Sequence, residues 1–526
     1  MKTWEYFEKR ALETEYHSKQ RGERYLSDLK KSYELTKEQL KKDIKTFYKK
    51  YADELEKITN IDARKSLTQG ELLKYLDIVK QKINNSSMSE FEKKLYRQKY
   101  LISRLNRDEA LLKQLELNMD LLTSEYEKSA TEHLIENYKQ TYCETAHALF
   151  NSPTFNLNLN VSFNAFDNRA IETIVKTKWS NKSFSQRIWG HKKNSVREIK
   201  NILNVGITLG YSVDKMSKQV AERLDVNYSN AKRLIRTESN YILSEATNNL
   251  YQDAELEKYR FLAVLDYKTS LICQSLDNKI FNVKDRKIGV NCNPMHPNCR
   301  STTVPHVPEY EDLENETRLA RDIDGKTYKV PADFDYKKWY ESMTNQQKQS
   351  HHIARKSHQN KATDKRQYER YKEVIPKENM PKSLAEYQKL KYTDKKGYED
   401  LKLAYKDEKL KTDIRNSYNL NINKGRQDKH IKGTNNYNTD LKNAKINSYL
   451  LNDINPQELV NKYAGTGEIK RDRNGRWTNK EFVEHVENIG YIVNPNTNEE
   501  VLTNRFTIHY SKIGTHIVPA KAILKE

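Results

Sequence analysis

The chain has 526 residues, 36% of them hydrophobic and 32% charged, with a mean hydropathy of −0.97. Such a composition supports several slim domains with much solvated surface rather than one large core. Lys and Arg outnumber Asp and Glu 93 to 73, a formal charge of +20, which favours a polyanionic partner and says nothing about fold. No segment approaches the ~20 apolar residues of a membrane-spanning helix. The opening Met1-Lys2-Thr3-Trp4-Glu5 runs straight into charged, helix-like sequence, so no export leader is expected. Four cysteines cannot build a disulfide scaffold in a chain of this length, and they point to a reducing compartment.

Residues 1–150 read as a long helical arm or hairpins. Leu26, Leu29, Tyr33, Leu40, Ile44, Phe47 and Tyr51 recur at helical spacing, as do Leu105, Leu112, Met119 and Tyr126, with Leu115 and Leu122 in the adjacent row. Both stripes are packing seams between helices. Residues 151–168 break the pattern with Ser152-Pro153 and alternating Phe155, Leu157, Leu159, Val161 and Phe163, the mark of a short strand or extended arm. Helix resumes after about 169, with Val196, Ile199, Leu203 and Ile207 on one stripe and Gly210 placed as its stop. Around Phe261, Ala263 and Leu265 a strand leads into an irregular, ligand-bearing loop.

That loop holds Asp266-x-Lys-Thr-Ser-x-x-Cys273 and then Cys292-Asn-Pro-Met-His296-Pro-Asn-Cys299-Arg300. Thiolate and imidazole at short spacing suit tetrahedral zinc, with His296 and Cys299 on one tight turn and Cys273 from the preceding strand end. Cys292, Asp266 or a water could supply the fourth ligand. No orienting base marks any of these cysteines as a nucleophile.

The same residues resemble the signature of tailed-phage minor head proteins, also called head morphogenesis proteins. Trp179, Phe184-Ser185-x-Arg187-Ile188-Trp189, Gly206-x-x-x-Gly210 and Leu234-Ile-Arg236-Thr237-Glu238 are similar to that family too, and the likeness covers about 1–310. The chain departs from it at Ser270, where many members have a second cysteine. The resemblance implies a virion protein inside the head, present in the host cytoplasm during assembly. Portal and scaffold or capsid proteins would be its partners, and DNA contact would be non-specific, through phosphate neutralisation. Arg236-Thr237-Glu238 reads as an intramolecular ion-pair element rather than a catalytic pair.

Residues 311–420 read as a basic connector: 351–450 alone carry 24 Lys/Arg against 13 Asp/Glu. From 421 the texture becomes mixed, with glycines at 465, 467, 475 and 490 and strand-like alternation from Arg505 to Tyr510. Two clusters stand out, Lys424-Gly-Arg426…Lys429-His430-Ile-Lys432 and His509-Tyr-Ser511-Lys512-Ile-Gly-Thr515-His516. Metal-independent RNA cleavage needs one group to take a proton from the ribose 2′-OH, another to protonate the leaving oxygen, and cations to stabilise the phosphorus centre. His430 and His516 are the acid/base candidates. Lys432, Lys512 and Arg426 are phosphate-binding candidates, Thr515 and Ser511 are hydrogen-bond donors, and His509 reads as a strand residue turned away from the site.

Lys-His430-Ile-x-Gly-Thr-Asn-Asn, Gly465-Thr-Gly-Glu468, Gly475-x-Trp477-x-Asn-Lys480-Glu481 and Ile-His509-Tyr-Ser-Lys-x-Gly-Thr-His516-Ile-Val-Pro are similar to the polymorphic toxin type 50 domain. That resemblance implies a ribonuclease needing no cofactor, RNA as substrate, and an immunity protein as a candidate partner. The expected architecture is a mainly α N-terminal region with a small mixed Cys/His-containing cap over 1–310. A connector and an α+β nuclease-like domain over 421–526 complete it. The function expected is a head-assembly protein carrying a ribonuclease-toxin-like domain. The alternative is a dedicated toxin that uses the head portion for delivery.

Overall fold

The computed structural model describes residues 3–49, 63–84, 86, 93, 106–152, 167–308, 313 and 315–521. The strand or arm expected at 151–168 falls almost wholly outside them. The chain forms two compact units, Met1–Ser350 and His351–Glu526.

In the first unit four long helices, Thr3–Tyr48, Arg107–Phe150, Phe184–Thr208 and Val213–Asp253, pack side by side. Their boundaries follow from local chemistry. Asn106 with Glu109, and Ser183 with Gln186, form reciprocal capping boxes, and Ser212 caps the last helix. Gly210, at φ +64°, ends the third helix in the left-handed conformation that glycine adopts freely. The predicted stripes bury as seams. Leu26, Leu29 and Tyr33 meet Leu122, Tyr126 and Ile235, while Leu40 and Ile44 meet Leu115, Met119, Leu203 and Met216. Each such aliphatic side chain contributes ~1.5–3 kcal/mol on burial.

A small antiparallel sheet sits on this bundle: β1 (Lys258–Leu262) between β2 (Ile280–Asn282) and β3 (Thr302–Pro305). The hairpin β4 (Thr317–Arg321) and β5 (Thr327–Pro331) follows and is tied to the first helix. Glu8 accepts from the Leu319 N–H at 3.0 Å, and the fully buried Arg318 binds Asp277 at 2.9 Å and the Phe334 carbonyl at 2.7 Å. Burial pushes the Glu8 carboxyl up to about 7.

In the second unit the region read as a connector has a core of its own. Helices Asn345–Lys372, Leu384–Thr393 and Lys395–Ser417 enclose Tyr368, Tyr371, Tyr387 and Leu401. The buried Asp364 carboxylate there accepts from Gln388, Lys391 and Tyr392, each at 2.8 Å. Beyond it, β7 (Glu468–Arg471), β8 (Trp477–Glu484), β11 (Arg505–His509) and β12 (His516–Pro519) form an antiparallel sheet in the order β12-β11-β8-β7. A second sheet joins β6 (Tyr449–Leu450), β9 (Gly490–Val493) and β10 (Glu500–Thr503). One face of the four-stranded sheet supplies the core residues Ile469, Val483, Phe506, Ile508 and Ile517, which pack with Ile414 of the Lys395–Ser417 helix. The core of the C-terminal module therefore begins upstream of residue 421.

Candidate functional site

Two sites stand out, one in each unit. In the first, β1 ends in a turn where Asp266 accepts the Lys268 N–H at 2.9 Å and receives both Arg300 nitrogens at 2.6 and 2.7 Å. Burial would raise this carboxyl, but the guanidinium outweighs it and holds it below its ordinary value. Ser270, standing where the head family often has cysteine, caps the helix Leu271–Leu276, its hydroxyl accepting from the Cys273 N–H. On the return, the Cys299 N–H donates to the His296 carbonyl at 3.1 Å, and Thr237 accepts from the Asn298 N–H at 3.1 Å.

These supports bring Cys273, His296 and Cys299 together. Cys273 Sγ lies 3.4 Å from His296 Nε2 and 3.8 Å from Cys299 Sγ, and the three ligand atoms lie within 4.8 Å of one another. His296 Nδ1 is 2.9 Å from the Pro297 carbonyl, which fixes it as the N–H and leaves Nε2 facing the sulfurs. The hydrogen bond from Cys273 holds Cys299 well below the ordinary thiol range, while the same contact and burial push Cys273 up. This is a possible metal-binding group. Among the described residues no fourth His, Cys, Asp or Glu joins it. Cys292 packs instead against Ser244 Oγ at 3.0 Å and Arg286 Nε at 3.2 Å, and Asp266 is held by Arg300. Arg236 pairs with Glu23 of the first helix, and Glu238 accepts from the Trp179 indole at 3.0 Å.

The second site lies on the outer face of the four-stranded sheet. Strand register places His516 opposite His509, His509 opposite Lys480, and Lys480 opposite Lys470. Residues paired across a sheet share a face, so all four side chains form one row. The core row beside it is Ile517, Ile508, Glu481 and Ile469. Glu481, fully buried, fixes that part of the sheet by accepting from the Gly465 N–H at 2.8 Å, the Gly467 N–H at 2.5 Å and the Tyr510 hydroxyl.

The row continues past edge strand β12. The Asn423 N–H donates to the Thr515 carbonyl at 2.7 Å. The Gln427 side-chain amide imitates a strand residue, donating to the Ile517 carbonyl at 3.2 Å and accepting from its N–H at 2.8 Å. Held this way, the 424–430 segment stacks His430 on His516, ring centroids 6.0 Å apart and nearly parallel. His430 Nδ1 is 2.8 Å from the Ser448 carbonyl, so it is the N–H and Nε2 carries the lone pair. His516 Nδ1 is buried without a hydrogen-bond partner.

Of the residues singled out in sequence, His430, His516 and Arg426 converge. Arg426 is close enough to depress the His516 imidazole. Lys432 lies beside Tyr449, its Nζ 4.6 Å from the ring centre, and shares Glu500 with that tyrosine. Lys512 is exposed on the β11–β12 turn. Thr515 is buried and donates to the Leu420 carbonyl at 3.1 Å, and Ser511 donates to the Gly514 carbonyl at 2.7 Å, so both hydroxyls build the scaffold. Gly514, at φ +119°, closes that turn where an added Cβ would come within 2.5 Å of the Asn421 carbonyl.

His509 does not turn away. Its ring lies 4.6 Å from that of His516. The reason is register: a hairpin pairing His509 with His516 must put both on one face. Lys480 and Lys470 were missed for the same reason, since only the pairing of β7, β8 and β11 aligns them with the histidines. Burial, reinforced by neighbouring cations, lowers His516 to about 4 and His509 to about 3, and burial lowers His430 as well. Three neutral imidazoles and nearby cations can together accept, hold and donate protons around an anionic group.

Comparison with known proteins assigns a family to each site's segment. The family described as Phage Mu protein F like protein matches residues 197–304, and the one described as Bacterial toxin 50 matches 422–519. The chain is 25% identical over 199 residues to the NAD(+)–arginine ADP-ribosyltransferase EFV of Enterococcus faecalis (strain ATCC 700802 / V583). That match covers 35% of this chain and 39% of the relative, so the chain spans well under half of the curated protein's length. No solved structure matches. The Cys/His group thus lies in a phage Mu F-like head-protein segment, the histidine row lies in a bacterial toxin 50 segment, and the chain is a fusion of the two.

Proposed function

We propose that the protein is a phage minor head protein of portal-associated assembly whose C-terminal module is a metal-independent endoribonuclease. The observation that carries the catalytic reading is the convergence of His430, His509 and His516 on one face of the sheet within the toxin segment. His430 Nε2 takes the 2′-OH proton, the 2′-oxygen attacks phosphorus, and His516 gives its proton to the leaving 5′-oxygen. The products are a 2′,3′-cyclic phosphate and a 5′-hydroxyl. In the free protein burial and neighbouring cations lower His516 to about 4. A bound phosphodiester anion raises an adjacent imidazole's pKa and so favours the protonated form that a general acid needs. Arg426 stabilises the phosphoryl oxygens, with Lys432 and Lys512 contributing to attraction from further out.

In the head segment, zinc fits the Cys/His group. Tetrahedral bonds of ~2.3 Å to sulfur and ~2.0 Å to nitrogen separate sulfurs by about 3.8 Å and sulfur from nitrogen by about 3.5 Å. The corresponding separations here are 3.8 and 3.4 Å. Zinc would be held by Cys273, His296 and Cys299 and would pin the 292–301 loop to the helix carrying Cys273.

Delivery is the second reading. The enterococcal relative is named as a transferase, and a match over 35% of this chain is longer than the toxin segment, so it reaches upstream residues. An upstream portion shared with a different enzyme suits a carrier. Purified full-length protein, incubated with total RNA without divalent metal, should cleave it, whereas the His430→Ala/His516→Ala pair should not. Intact RNA with the wild-type chain would remove the catalytic reading. The chain should also be found in purified particles at low copy, and its confinement to host lysate would remove the assembly reading.

A further inference from the structure

The row His516, His509, Lys480 and Lys470 poses an electrostatic problem. Like charges placed directly opposite one another on a sheet are destabilising, and Lys480 faces Lys470 with histidine on its other side. Among the described residues neither lysine forms an ion pair with a carboxylate, and beside burial the charged neighbours that lower His509 and His516 are cationic. Elsewhere in the same sheet cations are matched: Arg471 with Asp407, and Arg505 with Glu484 at 2.8 Å. A chain that pairs its other sheet cations but leaves this line unpaired has arranged the line for an anion supplied from outside.

Its dimensions indicate which anion. Neighbouring strands are ~4.8 Å apart, so four strands hold the row's ends about 14 Å apart. That exceeds one phosphate and leaves room for more than one consecutive phosphate of a single strand. The line runs perpendicular to the strands, from the Arg426 and His430 end across β12, β11 and β8 to β7.

We propose that this row is a track for consecutive backbone phosphates of one RNA strand. The scissile phosphate sits among His430, His516, His509 and Arg426, and the flanking phosphates lie on Lys480 and then Lys470. The proposal rests on the ribonuclease reading for the place of the scissile phosphate, but binding along the row stands independently of turnover.

Binding and cleavage are therefore measured separately on the full chain. Non-cleavable 2′-O-methyl oligoribonucleotides of two and eight residues are titrated by fluorescence anisotropy over a salt series. Lys470→Ala/Lys480→Ala should weaken the eight-residue ligand about tenfold. The slope of log affinity against log salt should fall by about 1.4, at ~0.7 per phosphate contact on a single strand. Affinity for the dinucleotide should stay within about twofold, and the Lys470→Arg/Lys480→Arg pair should restore the eight-residue ligand. Lys462→Ala, on an exposed lysine of the Pro456–Tyr463 helix, controls for loss of charge alone. Wild-type affinity and salt slope in the double alanine variant would overturn the track even if the protein cleaves RNA. Equal weakening of dinucleotide and eight-residue ligands, or the same loss in Lys462→Ala, would also overturn it. Length-dependent binding without cleavage would uphold the track and remove the ribonuclease reading.

Discussion

The two candidate sites treat charge in opposite ways. Around the Cys/His group three buried cations have anions: Arg300 with Asp266, Arg318 with Asp277, Arg286 with Glu245. In the C-terminal module, Arg426, Lys470 and Lys480 form no ion pair with a carboxylate among the described residues, and they lie near three histidines lowered chiefly by burial. Internal neutralisation locks a shape, because breaking a buried pair strands a charge. An unneutralised row stores no such lock and is suited to a ligand. The first arrangement suits a structural centre, and the second suits the polyanion-binding, proton-transferring role proposed for it.

The largest effects should come from removing the sheet's histidines. His516→Ala or His430→Ala should lower RNA cleavage by about 10²–10⁴ with unchanged thermal unfolding, as read by initial rates on a labelled oligoribonucleotide. His509→Ala should also cost at least about tenfold, since its ring adjoins His516; wild-type rates in that variant would return it to the role of a bystander.

The opposite pattern should hold at the paired charges. Arg318→Ala leaves Asp277 and Glu8 buried without their cation, and should destabilise the first unit by about 3–5 kcal/mol in denaturant titrations while leaving RNA cleavage unaffected. A loss below ~1 kcal/mol would show that the network relaxes or hydrates instead.

The outcome at these residues shows what the sequence could express. Helical seams such as Leu26–Leu29–Tyr33 were legible because their period is local, and so was the Gly210 stop. Cys273, His296 and Cys299 were legible because rare ligand types cluster there. Cys292 looked equivalent by spacing and was separated only by its contacts with Ser244 and Arg286. His430 and His516 carried their chemistry in residue type, but His509, Lys480 and Lys470 acquire theirs from pairing across four strands. Thr515 and Ser511 had the right functional groups, which the fold commits to the Leu420 and Gly514 carbonyls. The tyrosine core of 345–417 was hidden because its apolar surface is on tyrosines spread over three helices, which reads as polar sequence.

A smaller effect tests that scaffold role. Thr515→Val removes the hydroxyl and keeps the shape, so it should cost ~1 kcal/mol of stability and change the cleavage rate less than about twofold. A loss as large as that of the histidine variants would put Thr515 on the phosphate.

The smallest effect is in pH dependence. His509 and His516 are lowered in the folded chain to about 3 and about 4, whereas an unfolded histidine titrates near 6.5. As pH falls below ~6.5 the unfolded state takes up protons first, so the stability these residues permit is complete above ~6.5 and is lost progressively toward 4 and 3. Melting curves of the His509→Gln/His516→Gln protein should be flatter across that window than those of the wild type. Parallel curves would contradict the lowered values.

The central claim, that this sheet face performs acid–base cleavage through the ribose 2′-OH, is tested most directly by the ends it leaves. Full-length protein should cut a defined oligoribonucleotide without divalent metal, leaving a 2′,3′-cyclic phosphate and a 5′-hydroxyl, and should leave the same sequence intact when the ribose at the cut site is 2′-deoxy. Cleavage of the 2′-deoxy substrate, or a product bearing a 3′-hydroxyl and a 5′-phosphate, would contradict it.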